Sequence, residues 1–201
     1  MDLDEDAYRS GRVSARLFGY LRVPYRRPLV QGQKVPTPAG ETAAADAIAW
    51  DVVENMQAGW LYVLGPGTTT RAVAQRLGLP KTLTGVDVVS KEGLVASDVS
   101  EEQLLNLLEG RPVRLVITPI GGQGFLFGRG NQPVSARVIR MAGRENILAV
   151  STPGKLTRLH GRPLLVDSGD LGLDEVLAGY IQVITGYHEK SIYRLAASHI
   201  A

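Results

Sequence analysis

Between Glu41 and Met56 the apolar residues Ala45, Ile48, Ala49, Val52, Val53 and Met56 recur at helical spacing. They fall on one stripe, which predicts an amphipathic helix. The period then changes. "WLYVLG" is a short apolar run that stops at Gly65 and reads as a buried strand. "TTRAVAQRLG" returns to helical spacing, with Gly78 as its C-cap and Pro80 beyond it. "TLTGVDVV" is a further strand, and "SKEGLVASDVS" a glycine turn with a short strand. Ser100 and Gln103 form a capping box in front of "EEQLLNLLEG". "VRLVITPI", "NILAVST" and "PLLVDSG" read as strands; "VSARVIRMAG" and "PGKLTRLHG" read as helices. "DEVLAGYIQVITGY" begins helical, with Asp174 as its expected N-cap, and ends as a strand, with "KSIYRLAA" pairing as a closing strand.

The expected sheet strands are therefore 60–64, 83–89, 113–118, 147–151 and 164–167. They are apolar on both faces and alternate with helices, which predicts an α/β fold: a mostly parallel sheet with helices on both faces. The first forty residues differ. They hold one strand-like stretch, Val13 to Val23, and then a polar Pro/Gly-rich run. Residues 1–40 read as an extended N-terminal arm or inter-domain connector, and 41–201 as one α/β ligand-binding domain.

Composition narrows the chemistry. The 201 residues, 44% hydrophobic and 21% charged, are ordinary for a globular domain. A net charge of +2, with Lys and Arg scattered apart from Arg22, Arg26 and Arg27, gives no reason to expect a nucleic-acid partner. There is no cysteine, which removes disulfides, thiolate metal sites and a cysteine nucleophile, and fits a cytoplasmic location. His160, His188 and His199 are far apart in sequence, so no histidine metal site is expected. The acidic start, "MDLDEDAYRSG", lacks the apolar core of a signal peptide. No apolar run approaches the roughly 20 residues of a membrane span. The apolar "LFGYLRVPY" of the arm would dock onto another domain or subunit, so a homo-oligomer is expected.

Two glycine-rich segments carry the candidate chemistry. Gly65, Gly67, Thr68, Thr69 and Thr70 stand where a strand hands over to a helix. Ligands of open α/β sheets bind at such ends, and a helix N-terminus offers N–H donors to an anion. The same segment also fits a plain tight turn with a threonine cap. Neither the Walker lysine nor the G-x-G-x-x-G spacing is present. The second segment, "TPIGGQGFLFGRGNQPVS", follows a buried strand. Its Gly121, Gly122, Gln123, Gly124, Arg129, Gly130, Asn131 and Gln132 offer flexible backbone, a forked cation and amides suited to phosphate or base edges. Phe125 and Phe127 alternate as core residues do. Asp87 is either a ribose or base-type carboxylate or a turn cap. Lys155 is either a phosphate partner or a solvated first-turn lysine.

Taken together, "DLDEDAYRSGRVSARLFGYLRVP", "LGPGTTTRAVAQRLGL", "TLTGVDVV", "TPIGGQGFLFGRGNQPVSARVI" and "GRPLLVDSGD…LAGYIQVITGY" resemble the C-terminal half of ATP-NAD kinase family proteins. These are the long bacterial and archaeal type, which includes proteins encoded with acetoin catabolism. The resemblance implies phosphoryl transfer from ATP or polyphosphate to the adenosine ribose 2′-hydroxyl of NAD, with Mg2+. The family's Gly-Gly-Asp-Gly-Thr signature, which would supply a base and hold phosphates, is not in this sequence. The resemblance therefore implies a missing N-terminal kinase domain, and a chain that is inactive alone. A fainter likeness, in "GPGTTT" followed later by "ILAVSTPGKL", is to sugar-phosphate isomerases and DeoR-type effector domains. It implies that Gly65 to Thr70 and Lys155 flank one sugar phosphate. The expected function is thus the nucleotide- and phosphate-binding half of an NAD kinase. The alternatives are a stand-alone sensor of a sugar phosphate or nucleotide and, third, a small isomerase.

Overall fold

The computed structural model describes residues 39–120 and 122–199, with a two-residue antiparallel ladder between Asp2–Leu3 and Ala15–Arg16. The expected arm lies outside the described residues apart from that ladder and the start of the first helix, and so does most of the stretch from Val13 to Val23.

Nine strands form one mixed sheet: β1 (Leu61–Leu64), β2 (Asp87–Ser90), β3 (Gly93–Ala96), β4 (Val113–Ile117), β5 (Phe125–Phe127), β6 (Ile147–Val150), β7 (Leu164–Val166), β8 (Gly179–Gly186) and β9 (Glu189–Ala197). Their order is β3-β2-β1-β4-β6-β8-β9-β7-β5. The centre, β1-β4-β6-β8, is parallel, as are β9-β7 and β7-β5. Among these nine strands the antiparallel ladders are β1-β2, β2-β3 and the β8-β9 hairpin. Ile120, just past β4, donates its N–H to Phe125 O at 2.8 Å, so the outermost strand is also tied back to the middle of the sheet.

The helices are α1 (Ala39–Glu54), α2 (Thr68–Arg76), α3 (Glu101–Leu108), α4 (Ala136–Ala142), α5 (Pro153–Thr157) and α6 (Leu171–Leu177). All four residues of β1 are buried, yet their side chains part to opposite faces. Leu61 and Val63 join Leu104 and Leu108 of α3 and Val138 and Ile139 of α4 in one core. Tyr62 and Leu64 join Ile48 and Val52 of α1 and Val73 of α2 in the other. Two-sided coverage is what makes the strands read as unbroken apolar runs.

Three local expectations are corrected. The strand expected over 83–89 is Asp87–Ser90, and it runs antiparallel to β1. Residues 82–86 bend instead, because Thr82 donates its N–H and hydroxyl to the Asp87 carboxylate five residues on. Phe125–Phe127, expected only as core, is a strand of the sheet. Asp170, not Asp174, caps α6, accepting from Leu173 N at 2.9 Å. Asp174 turns inward and binds Ser168 through its backbone N–H and its hydroxyl. The capping box of Ser100 and Gln103 forms with both hydrogen bonds.

Ile48 is fully buried at the centre of the α1 face. Ile48→Ala is expected to lower unfolding free energy by about 2–5 kcal/mol in urea titrations. Asp46→Asn, on the exposed side of the same helix, should stay within about 0.5 kcal/mol of wild type.

Candidate functional site

Parallel neighbours β1, β4 and β6 end on the same edge of the sheet, where the loops that follow them meet. The first of these loops is stitched from below. Gly65 N–H bonds Val116 O at 3.0 Å and Gly67 N–H bonds Leu83 O at 3.1 Å. The buried Thr70 hydroxyl lies 2.6 Å from Gly65 O and 3.0 Å from Gly67 O, so its proton closes the turn. Gly67 sits at φ 126°, ψ 164°, a conformation open essentially to glycine alone. A Cβ there would also stand 2.7 Å from the Thr118 methyl group. Gly67 is the N-cap of α2 and no side chain caps the first turn, which leaves its N–H groups facing the loop edge.

Lys155 enters from the third loop. Thr152 caps α5 and accepts from Lys155 N at 3.4 Å, while Pro153 starts the helix with a preset φ. The Lys155 ammonium reaches Thr69 Oγ1 at 2.8 Å and Thr118 Oγ1 at 3.4 Å. One side chain thus joins the ends of β1, β4 and β6. Both partners are neutral hydroxyls, and among the described residues no carboxylate forms an ion pair with this ammonium. Burial is the main force on its titration and pulls the pKa from 10.5 to about 8; the Glu41 charge opposes the shift and Arg158 adds to it.

Glu41, in the first turn of α1, is only 9% exposed. One of its oxygens accepts a short hydrogen bond from Thr152 Oγ1, and the other pairs with Arg158 at 3.1 Å. A Cβ on Gly154 would collide with that second oxygen, so a larger residue there would push the Glu41 carboxylate out of its present place. The carboxylate therefore fixes the cap that starts the Lys155 helix and sets the local field. The arrangement gathers a cation, two hydroxyls and a helix start, which are donors of the kind that hold anions.

Residues 60–195 match the family model described as ATP-NAD kinase C-terminal domain. The chain belongs to that family. The search of curated proteins gave no match, and the search of solved structures gave none.

Within this ATP-NAD kinase C-terminal domain, the other expected site residues lie elsewhere or are otherwise engaged. Asp87 is fully buried, 3.1 Å from the buried Lys81 ammonium, and it also accepts from Thr82 and from Asp98 N at 2.7 Å. Burial draws the Lys81 pKa down, against the pull of Asp87. This knot shapes the 82–86 bend, whose Leu83 carbonyl supports Gly67. Gly121 lies outside the described residues. Gly122 O accepts from Arg162 at 3.4 Å, and Gly124 packs so closely on Leu159 that a Cβ would come within 2.9 Å of it. Arg129 lies 4.8 Å above the Phe125 ring and reaches Gln123 Oε1 at 3.4 Å. Gly130 abuts Ile120, Gln132 is exposed, and the buried Asn131 donates to Leu126 O at 2.9 Å. Among the described residues no hydrogen bond links residues 122–132 to Lys155 or Thr69; the segment meets the cluster through its first residue, Thr118.

Sequence reasoning missed Glu41, Thr118, Thr152 and Arg158. A signal existed for the two threonines: Thr118-Pro119 and Thr152-Pro153 both follow a buried parallel strand. Nothing local marks Glu41, whose partner is 111 positions away.

The resemblance implies Mg2+. Among the described residues no group of three or more His, Asp or Glu side chains is arranged to hold a metal ion, and Glu41 is already bound to Thr152 and Arg158. These residues do not fit a metal site of their own. No described helix is long and apolar enough to cross a membrane.

Glu41→Gln removes the charge that holds the Lys155 ammonium on. Lysine-selective NMR titration should show Lys155 near pH 8 in the wild type and clearly below that in the variant. An unchanged midpoint would contradict this electrostatic role of Glu41.

Proposed function

We propose that this chain is the nucleotide- and phosphate-binding C-terminal part of an NAD kinase, and that Lys155, Thr69 and Thr118 hold a phosphate of its substrate. One observation carries the reading: a largely buried ammonium that bonds two neutral hydroxyls at the meeting point of three strand ends. A buried charge without an opposite charge is costly, and an incoming phosphate supplies one. Lysines with strongly shifted titration in a cleft are enriched at functional sites. The family match supports a nucleotide as the phosphate's source.

The parent reaction is phosphoryl transfer from ATP, or polyphosphate, to the adenosine ribose 2′-hydroxyl of NAD. In the long bacterial and archaeal type, the Gly-Gly-Asp-Gly-Thr segment stands on a preceding domain, and this sequence does not contain it. The base and the phosphate-metal chemistry fall to that domain. Here, the protonated Lys155 neutralises phosphate charge, and Thr69, Thr118 and the α2 start orient it. Residues 41–201 form this ligand-binding domain, residues 1–40 connect it to its kinase partner, and the assembled protein is a homo-oligomer. Asp87 supports the glycine loop and does not touch the ligand.

Calorimetry with ATP, NAD, NADP and inorganic phosphate tests the reading. Lys155→Met should weaken phosphate-bearing ligands about 10- to 100-fold at pH 7, the loss of one hydrogen-bonded charge. Anion binding needs the protonated ammonium, so affinity should hold below pH 8 and fall as pH rises past it. The purified chain alone should form no NADP from NAD, ATP and magnesium. Unchanged binding in Lys155→Met, or turnover by this chain by itself, would overturn the assignment.

A further inference from the structure

Between α1 and α2, next to the Lys155 cluster, lies a surface cleft of about 280 Å³. Its construction follows from helix spacing. Thr42, Ala45 and Asp46 share one face of α1, and Thr68, Arg71, Ala72 and Gln75 share one face of α2. The buried Ala45 and Ala72 make an apolar floor, because neither side chain reaches far enough to fill the gap between the helices. Asp46, Arg71 and Gln75 make a polar rim, and among the described residues none of the three forms an ion pair. The inner end is closed by Thr68, Thr152 and Glu41, neighbours of the anion cluster: Thr68 precedes Thr69, Thr152 caps the helix of Lys155, and the Glu41 carboxylate is held by Thr152 and Arg158.

A small apolar floor under a rim of a carboxylate, a guanidinium and an amide has the chemistry of a sugar site. One face of a pentose presents C–H groups, and its edge presents hydroxyls that donate to a carboxylate and exchange hydrogen bonds with an amide. Size narrows the ligand further. Sites for drug-sized molecules span roughly 300–1,000 Å³, so this cleft suits one ring and not a dinucleotide.

We infer that the α1–α2 cleft binds the pentose of a ribosyl phosphate whose phosphate lies at Thr69 and Lys155, with Asp46 and Gln75 reading its hydroxyls. This rests on the phosphate reading above and adds the class of group attached to the phosphate. Arg71, on the rim nearest Thr68, serves as a second contact for the phosphate or for the next one along a nucleotide chain. The pentose phosphate can be a free sugar phosphate or the ribose end of a nucleotide; the chemistry at the cleft is shared.

Calorimetry on the full chain with inorganic phosphate, ribose 5-phosphate and 5′-AMP separates these. Ribose 5-phosphate and AMP should each bind at least tenfold more tightly than phosphate, and whichever is tighter identifies the source. Asp46→Asn combined with Gln75→Ala, both at exposed positions, should bring the sugar ligands to within about threefold of phosphate and leave phosphate binding unchanged. Equal affinity for phosphate and ribose 5-phosphate in the wild type would overturn the sugar cleft. So would a double variant that retains the tenfold preference, or one that loses phosphate as strongly as sugar. If Lys155→Ala still abolishes phosphate binding in those cases, the phosphate site stands and only the cleft assignment falls. If Lys155→Ala changes nothing, the phosphate reading falls and takes the cleft with it.

Discussion

The ammonium of Lys155, bonded to Thr69 and Thr118, ties α5 to the first turn of α2 and to the loop that follows β4. Its two partners are hydroxyls, which accept hydrogen bonds but bring no charge. Burial therefore weakens its hold on the proton, and the Glu41 carboxylate, one step back behind Thr152 and Arg158, restores part of it. Much of the surrounding architecture follows from holding that group in place. Gly67 holds a conformation open essentially to glycine and lies close against Thr118, Gly154 leaves room for the Glu41 carboxylate, and Thr70 closes the turn at Gly65 and Gly67.

Support for the site extends outward. The buried Lys81–Asp87 pair bends residues 82–86 so that Leu83 O meets Gly67 N–H. Removing one member of such a pair typically costs about 3–5 kcal/mol, because the other charge stays buried without compensation. The carboxylate of Asp87 thus holds the bend that supports the glycine turn. The second glycine-rich segment plays a comparable part at the far edge, where Asn131, Gly124 and Gly130 fit the turn against Leu126, Leu159 and Ile120. Glycine density there reflects close packing as well as any ligand.

Much of the fold was legible because its signals are local. The α1 stripe of Ala45, Ile48, Ala49, Val52 and Met56 is buried as its spacing requires, and Gly78, at φ 71°, follows the end of α2. The parallel centre of the sheet followed from strands apolar on both faces. Strand direction at the edge was not legible, since "TLTGVDVV" has the same pattern whether it runs with β1 or against it. The cap of α6 misled because Asp170 and Asp174 both fit an N-terminus, and only Ser168, bonded to Asp174, distinguishes them. At the site, Gly67, Thr69 and Lys155 were marked by turn chemistry beside predicted strands. Glu41 and Arg158 were not, because their roles exist only after α1 and α5 have come together.

The most direct measurement is thermal unfolding at pH 7 of the wild type and Lys155→Met, each with and without phosphate. Lys155 has a lower pKa folded than unfolded, so its charge penalises the folded state below pH 8, and the penalty is relieved as pH rises from about 8 toward 10.5. Without phosphate, Lys155→Met should therefore melt higher than the wild type. With phosphate, the wild type should rise through linkage and the variant should not respond. A variant that melts lower and still gains stability from phosphate would contradict the view that this lysine is a buried charge kept for an anion.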